Sequence, residues 1–438
     1  MLIFTFPMLI SEKLLAFVWQ YRLFKATNLH TTKGDTLQIL HSGREQTDAG
    51  PDFFDARINL NGTLWAGCVE IHVKSSDWLR HRHQHDPAYQ NVILHVVYEH
   101  DLAENSENVF LNNLPVLELK PLLNATLIAR YNTLKEQKDF VPCAAFLTET
   151  TSLDWQIFTD KLIVARLEDK AMQISQTLAD TQQDWEKVFW LKLGAAMGAK
   201  VNAPAFEMLC RITPLEIVRK IADDLPSLEA LLLGQAGFLE KNYEDAYFQQ
   251  LQQTYRHLQE RFQLQPMNNA MWKFLRMRPA NFPSIRIAQF AALWHREPQL
   301  LQTVLACQNL SELQSCFQVA ASDYWNTHYL PDKLSKNTVK TLGNDMLHSL
   351  LINTLVPFIF IYGKYQYKNQ YEDLAFSLLE EIPPEHNRIV AQWKQWQQIP
   401  TKNAQHTQAL LHLYKHYCAE FRCLSCNIGY KLLKQSEL

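Results

Sequence analysis

The sequence predicts a two-part chain, an α+β domain at the N-terminal end followed by an irregular all-α domain. Three observations lead there. Segments rich in β-branched and aromatic residues fill residues 36–120, helical spacing dominates after residue 150, and no repeat of fixed period links the two regimes. With 438 residues, 47% of them hydrophobic, the chain is long enough to bury more than one core. The expected division is an α/β domain over 1–125, a linker over 126–150 and a helical domain over 151–438.

SEKLLAFVWQYRLF (11–24) has helical spacing behind an N-cap serine. TLQIL (36–40), FDARINL (54–60) and LWAGCVEIHVK (64–74) read as strands, as do NVILHVVYEH (91–100) and LPVLELK (114–120). With a short helical segment after residue 74, the order is αβββαβ plus a final strand. Asn61 and Gly62 supply the chemistry of a tight hairpin turn between the second and third strands. In the second half, TSLDW (151–155), TPLE (213–216) and SLEA (227–230) read as helix caps. RMRPANFPSIR (276–286) and EIPPEHNR (381–388) read as turns.

Charge and composition exclude several classes. A formal net charge of −3 gives no global basic signal, so any nucleic-acid contact needs a local patch. MLIFTFPMLISEKLL lacks a basic flank and a small-residue cleavage site, so no signal peptide is expected. No window reaches about 18 uninterrupted apolar residues, so no membrane span is expected, and LLINTLVPFIFIYG (350–363) reads as a buried helix. Eight cysteines in a chain of this size do not form a secreted disulfide pattern, which implies a reducing, cytoplasmic location.

Chemistry concentrates around the hairpin. Glu70, His72 and Lys74 alternate with Val69, Ile71 and Val73, so they share one strand face at spacings of about 7 Å. Gly50, Pro51 and Asp52 open the preceding strand. A carboxylate pair beside a basic group is what metal-assisted phosphodiester cleavage requires. GPDF (50–53) and VEIHVK (69–74) resemble the P-D and (D/E)-X-K elements of the PD-(D/E)XK nuclease superfamily. That resemblance covers about residues 10–120 and implies a restriction-endonuclease-like αβββαβ core. It further implies Mg²⁺ or Mn²⁺ held by Asp52 and Glu70, with Lys74 and His72 at the reacting phosphate. His72 stands where the pattern expects lysine. Either Lys74 substitutes from the same face, or His72 does the work, or the fold persists without activity.

A second resemblance spans nearly the whole chain. DAGPDF (48–53), VEIHVKSSDWLRHRH (69–83), VILHVV (92–97), RPANFPSIRIAQ (278–289) and YCAEFRCLSCNIG (417–429) are similar to a bacterial family known only as a domain of unknown function.

Register poses a geometric problem. With a two-residue loop at Asn61 and Gly62, Asp52 faces Ile71 and lies on the opposite face from Glu70, whose face Asp55 would share. Asp52 reaches Glu70 only through a bulge or bend near Pro51, or a three-residue loop ending in Gly62. The resemblance favours Asp52, with Asp55 as the fallback.

His81, His83 and His85 follow the strand closely, and His95 lies on the next one. Imidazole ligands at this density suit Zn²⁺ or Mn²⁺, and His81 and His83 are the best metal candidates. Arg80 and Arg82 interleave with them and can meet phosphate. Cys418, Cys423 and Cys426 have a C-x₄-C-x₂-C spacing that suggests zinc or an iron–sulfur centre, with His416 or Cys143 as fourth ligand. Small apolar packing of free thiols is the competing reading. Lys273, Arg276 and Arg278 interleave with Trp272, Phe274 and Phe282, a pattern that can hold a nucleic-acid backbone.

These residues point to a metal-dependent phosphodiesterase acting on nucleic acid. A catalytically inactive nucleic-acid or protein interaction module of the same fold is the alternative, and a zinc-dependent hydrolase using the histidines is a third reading.

Overall fold

The computed structural model describes residues 10–46, 49–102 and 113–435. Residues 1–9 of the opening apolar run and Asp48 of the DAGPDF segment lie outside them. The chain divides into two compact units, one made of Met1–Phe158, Gln392–Ile399 and Leu411–Leu438, the other of Thr159–Ala391 and Pro400–Leu410. The first unit thus takes in segments from the chain's C-terminal end as well as the N-terminal sheet.

In the first unit, α1 (Glu12–Tyr21) begins behind Ser11, whose hydroxyl accepts the Leu14 N–H. Its buried Leu14, Leu15, Val18 and Trp19 recur at helical spacing, as a core-facing stripe must. The sheet strands are β1 (Leu29–His30), β2 (Thr36–His41), β3 (Arg44–Glu45), β4 (Phe53–Leu60), β5 (Thr63–Lys74), β6 (Val92–Glu99) and β7 (Val116–Glu118). Their order is β1-β2-β4-β5-β6-β7, with β3 on β4. The strands β2, β4 and β5 pair antiparallel, whereas β6 and β7 join in parallel. The sheet is therefore mixed, and β5 is the strand at which direction changes. The short β1 and β3 carry no alternation long enough to be read from sequence.

The hairpin forms as expected: Leu60 pairs with Thr63, and Asn61 and Gly62 take φ of 51° and 87°. Positive φ at both positions is the two-residue turn whose twist matches the strands. The β5-to-β6 crossover consists of α2 (Asp77–Arg80) and two 3₁₀ turns, His83–His85 and Pro87–Tyr89. Trp78, Tyr89, Val92 and Leu114 bury one another beneath it, with Cys68 packed alongside. The helix α3 (Ala125–Glu136) follows the sheet, capped by the Asn124 side chain on the Thr126 N–H.

The second unit is helical apart from the two-stranded pairing of His328–Leu330 with Lys333–Leu334. Cap assignments differ from the sequence reading in two places. The helix Leu225–Gln235 is capped by Asp224 on the Ser227 N–H, because Pro226 in the first turn fixes an earlier start than Ser227 would give. Leu215–Lys220 follows Pro214 rather than a Thr213 cap. Thr151 and Asp154 do exchange side-chain bonds to each other's N–H groups, at 3.3 and 2.8 Å. Asn344–Gln366 is a 23-residue run apolar enough to cross a membrane by length and composition, and it is mostly buried within the protein. Pro357 lies just past a π-helical turn, Leu351–Leu355, where its missing N–H loosens the regular ladder.

One glycine in the sheet is held by close approach. A Cβ on Gly67 would lie 2.5 Å from the Ile93 side chain and 2.6 Å from the Asn91 carbonyl oxygen, and the carbonyl is backbone that cannot swing aside. Gly67→Ala is expected to destabilise the first unit by about 1–3 kcal/mol through overpacking. The urea midpoint checks this, and an unchanged midpoint would contradict the β5–β6 packing described here.

Candidate metal centre

One inserted residue sets the site. From the turn, β4 and β5 pair as far as Ala56 with Gly67, the register in which Asp52 would fall opposite Ile71. The register then shifts before Phe53, which pairs with Val69, while Asp55 adopts left-handed backbone at φ 63°. Beyond this bulge every partner moves by one, so Asp52 comes opposite Glu70. Two hydrogen bonds lock it there. The Asp52 N–H donates to Glu70 Oε2 at 3.1 Å, and the Ile71 N–H donates to Asp52 Oδ2 at 2.9 Å. The bulge lies a few residues beyond Pro51, and the turn remains a two-residue one. Asp55 sits exposed on the bulge itself.

Glu70 Oε2 is occupied by that backbone bond, and Oε1 faces histidines. It lies 3.5 Å from His72 Nε2 and 3.4 Å from His83 Nε2. His72 Nε2 is in turn 3.1 Å from His81 Nδ1. The candidate ligand nitrogens of His72, His81 and His83 all lie within 4.8 Å of one another. Four ligands 2.0–2.2 Å from one ion at tetrahedral corners are separated by about 3.3–3.6 Å. The spacing therefore fits a small divalent ion, and the buried His83 Nε2 has no hydrogen-bond partner among the described residues.

Local structure explains the convergence. His72 projects from β5 on the face that carries Glu70. His81 ends α2, its N–H bonded to the Asp77 carbonyl at 2.9 Å. Arg82 then takes φ 62°, turning the chain so that His83 points back toward the same place. The His83 ring is clamped by stacking on Tyr89, with centroids 3.8 Å apart, and by the edge of Trp78. His95, which β6 places beside Glu70 in the parallel register, holds His72 from behind through a 2.9 Å bond from Nδ1 to Nε2. With His72 Nε2 free to ligate, its Nδ1 carries the proton and donates to His95, an arrangement that fixes tautomer and ring orientation. His81 is exposed, so the site opens to solvent on that side.

Electrostatics favour a cation in this place. Burial, then the neighbouring Asp52 carboxylate, pushes Glu70 up to about 9. Burial raises Asp52 to about 6 against the lowering effect of the Ile71 N–H. Burial, then His95 and the other imidazoles, drives His72 down to about 2, and burial lowers His83 and takes His95 to about 3. His72, His83 and His95 are thus held neutral, as metal ligation demands of a ligand imidazole, while among the described residues the acidic pair has no lysine or arginine partner.

Other expected residues fall elsewhere. Lys74 is half exposed with Nζ 4.0 Å from Asp101, at the far end of β5 from the bulge. Arg80 is exposed and paired with Asp77 at 3.0 Å, and Arg82 is exposed. Lys273, Arg276 and Arg278 are exposed on the second unit, while Arg286, next to that run, is buried and bonded to Asn281 and Gln289. Cys418 and Cys426 are buried and Cys423 partly so. Sequence places His95 on the strand after the histidine cluster and assigns it no role of its own. Its signal was a lone imidazole within the apolar run VILHVV.

A family model described as "Protein of unknown function (DUF2851)" matches residues 12–388. No curated protein and no solved structure matches the chain. The matched span contains α1, the bulged hairpin and the histidine crossover, and covers most of the chain. The protein is a member of the DUF2851 family.

Proposed function

We propose that the first unit is a metal-dependent phosphodiesterase acting on nucleic acid. The observation that carries this reading is the bulge-directed pairing of Asp52 with Glu70, whose outward oxygen meets a trio of imidazoles. The three longer strands β2, β4 and β5 between α1 and α2, with β6 added in parallel beside β5, support the resemblance to PD-(D/E)XK nucleases. Glu70, His72, His81 and His83 would hold the ion, with His95 positioning His72 and with Tyr89 and Trp78 positioning His83. A divalent cation there would polarise a phosphodiester and lower the pKa of water. Asp52 supplies a second carboxylate, raised toward neutrality and suited to accept a proton. Exposed Arg80 and Arg82, on either side of His81 in the chain, can meet phosphate charge. Three nitrogens beside one oxygen favour Mn²⁺ or Zn²⁺ over the all-oxygen shell that Mg²⁺ prefers.

A second reading is favoured by one observation. His72 stands where the resembled pattern expects lysine and is neutral, so among the described residues no fixed positive charge is paired with the acidic pair. A metal-stabilised binding module of the same fold would tolerate that loss.

Calorimetric titration with Mn²⁺ and Zn²⁺ is expected to show one tight site per chain. Removing a ligand in His83→Ala should abolish it, and removing the support in His95→Ala should weaken it by about 10–100-fold. Wild-type affinity in His83→Ala would place any bound ion elsewhere. Cleavage of single- and double-stranded DNA and RNA with Mn²⁺ is expected to fall by at least about 10²-fold in Glu70→Gln, while Lys74→Ala stays within about threefold of the parent. Tight metal binding without cleavage of any of the four substrates would select the binding module. Equal activity in Glu70→Gln would overturn the phosphodiesterase.

A further inference from the structure

The second unit holds a cavity of about 370 Å³, a volume in the range of small-ligand pockets, and its lining carries positive charge without an acid. Lys200, Arg276, Arg278 and Arg286 border it, and among the described residues none of the four is in an ion pair. Lys200, Arg276 and Arg278 are exposed, whereas Arg286 is 6% exposed. Its guanidinium donates to two neutral oxygens, Asn281 Oδ1 at 2.6 Å and Gln289 Oε1 at 2.9 Å. Gln289 is itself fixed, since its amide donates to the Lys340 and Thr341 carbonyls, both at 2.9 Å. A guanidinium carries five N–H donors, so this pair of bonds does not exhaust it. Burial pulls Arg286 down to about 10, which leaves it charged at neutral pH. A buried charge without a counter-charge is costly until an anion completes the pair.

Backbone geometry shapes the same place. Arg286 lies in the first turn of the helix Pro283–Arg296, which starts without a side-chain cap. Pro283 borders the cavity too, so the positive end of that helix stands at its wall. Ala199 and Arg276, both on the lining, take left-handed backbone at φ 47° and 62°, and strained positions of this kind gather at ligand sites. Asn202, 2% exposed, ties two walls together: the Lys273 N–H donates to its Oδ1 and its Nδ2 donates to the Lys273 carbonyl, both at 2.9 Å. Gly198 joins the helices Trp185–Met197 and Ala199–Ile212 at the cavity, where a Cβ would lie 2.4 Å from the Asn202 carbonyl oxygen. Lys200 also borders a neighbouring cavity of about 560 Å³, lined by Lys170 and Lys192, whose acid, Glu207, is paired with Arg211 at 2.6 Å. Positive charge thus continues beyond the Arg286 pocket.

We propose that this pocket binds a phosphoryl group, with Arg286 as the buried anchor and Lys200, Arg276 and Arg278 completing the cationic lining. Guanidinium meets phosphate through paired, planar hydrogen bonds, and a lining without carboxylates leaves its donors to the ligand. The charge of several cations suits a phosphate better than a single carboxylate. The adjoining lysines suit a ligand that carries further phosphates, so a nucleic-acid strand and free phosphate are the two sources to separate. The pocket needs no metal, and it stands or falls apart from the phosphodiesterase reading.

Calorimetric titration of the full-length protein in EDTA at low salt, with inorganic phosphate and separately with a short single-stranded DNA, tests the pocket without any contribution from a metal. Arg278→Ala, an exposed change, is expected to weaken binding by about tenfold or more and to reduce the salt slope of DNA binding by about one. Arg286→Gln should abolish binding, while Lys333→Ala, exposed in the same unit, keeps wild-type affinity. Phosphate that displaces the DNA marks a strand as the ligand, and phosphate that binds without displacing it marks free phosphate. Circular dichroism separates loss of the pocket from loss of fold, and Arg278→Ala stands as a test where Arg286→Gln fails to fold. Binding of neither probe by the wild-type protein, or wild-type affinity in both arginine variants, would overturn the proposal.

Discussion

The bulge in β4, with Asp55 in the left-handed region, is the constraint from which the rest of the N-terminal site follows. Without it the two-residue turn would propagate its register, and Asp52 would lie on the far face of the sheet from Glu70. Side-chain period along a strand is two, so a shift of one exchanges faces completely. Left-handed backbone costs an L-residue roughly 1–2 kcal/mol, least where a short polar side chain can bond locally, which is why an aspartate can occupy the position. The strain is offset by two cross-strand bonds, from the Asp52 N–H to Glu70 Oε2 and from the Ile71 N–H to Asp52 Oδ2.

Those same bonds divide the oxygens of the acidic pair by task. Glu70 Oε2 is structural and Oε1 is presented to the imidazoles. Among the described residues, no lysine or arginine is paired with either carboxylate. Burying a carboxylate without a counter-charge costs several kcal/mol, so the metal-free protein is best served by the neutral acid and neutral imidazoles. A divalent ion reverses that preference and makes the same burial favourable. His72 is central to this change of chemistry. It offers a lone pair rather than a positive charge, and His95 behind it holds the ring through Nδ1.

Much of this was legible in residue order, and the exceptions have physical causes. The hairpin could be read because Asn61 and Gly62 tolerate positive φ, and the strands because apolar residues alternate. The pairing of Asp52 with Glu70 could be posed but not resolved, since nothing in a hydrophobic pattern marks which residue will be extruded into a bulge. Lys74 shares a face with Glu70, as alternation requires, yet the strand leaves the covered region before reaching it, and the lysine turns to Asp101. His83 could be proposed from proximity in sequence, whereas its clamp by Tyr89 depends on how the crossover folds back. Helix starts at Leu215 and Leu225 were displaced by prolines that set the first turn more firmly than the hydroxyl caps nearby.

The central claim is that Glu70 and three imidazoles share one divalent ion. Electron spin echo spectroscopy of the protein loaded with one equivalent of Mn²⁺ tests it most directly, because nitrogen bonded to the ion modulates the echo. The account predicts couplings from more than one imidazole nitrogen, diminished in His83→Ala and in His72→Ala. An ion surrounded by oxygen alone, with no nitrogen coupling in the wild-type protein, would contradict it.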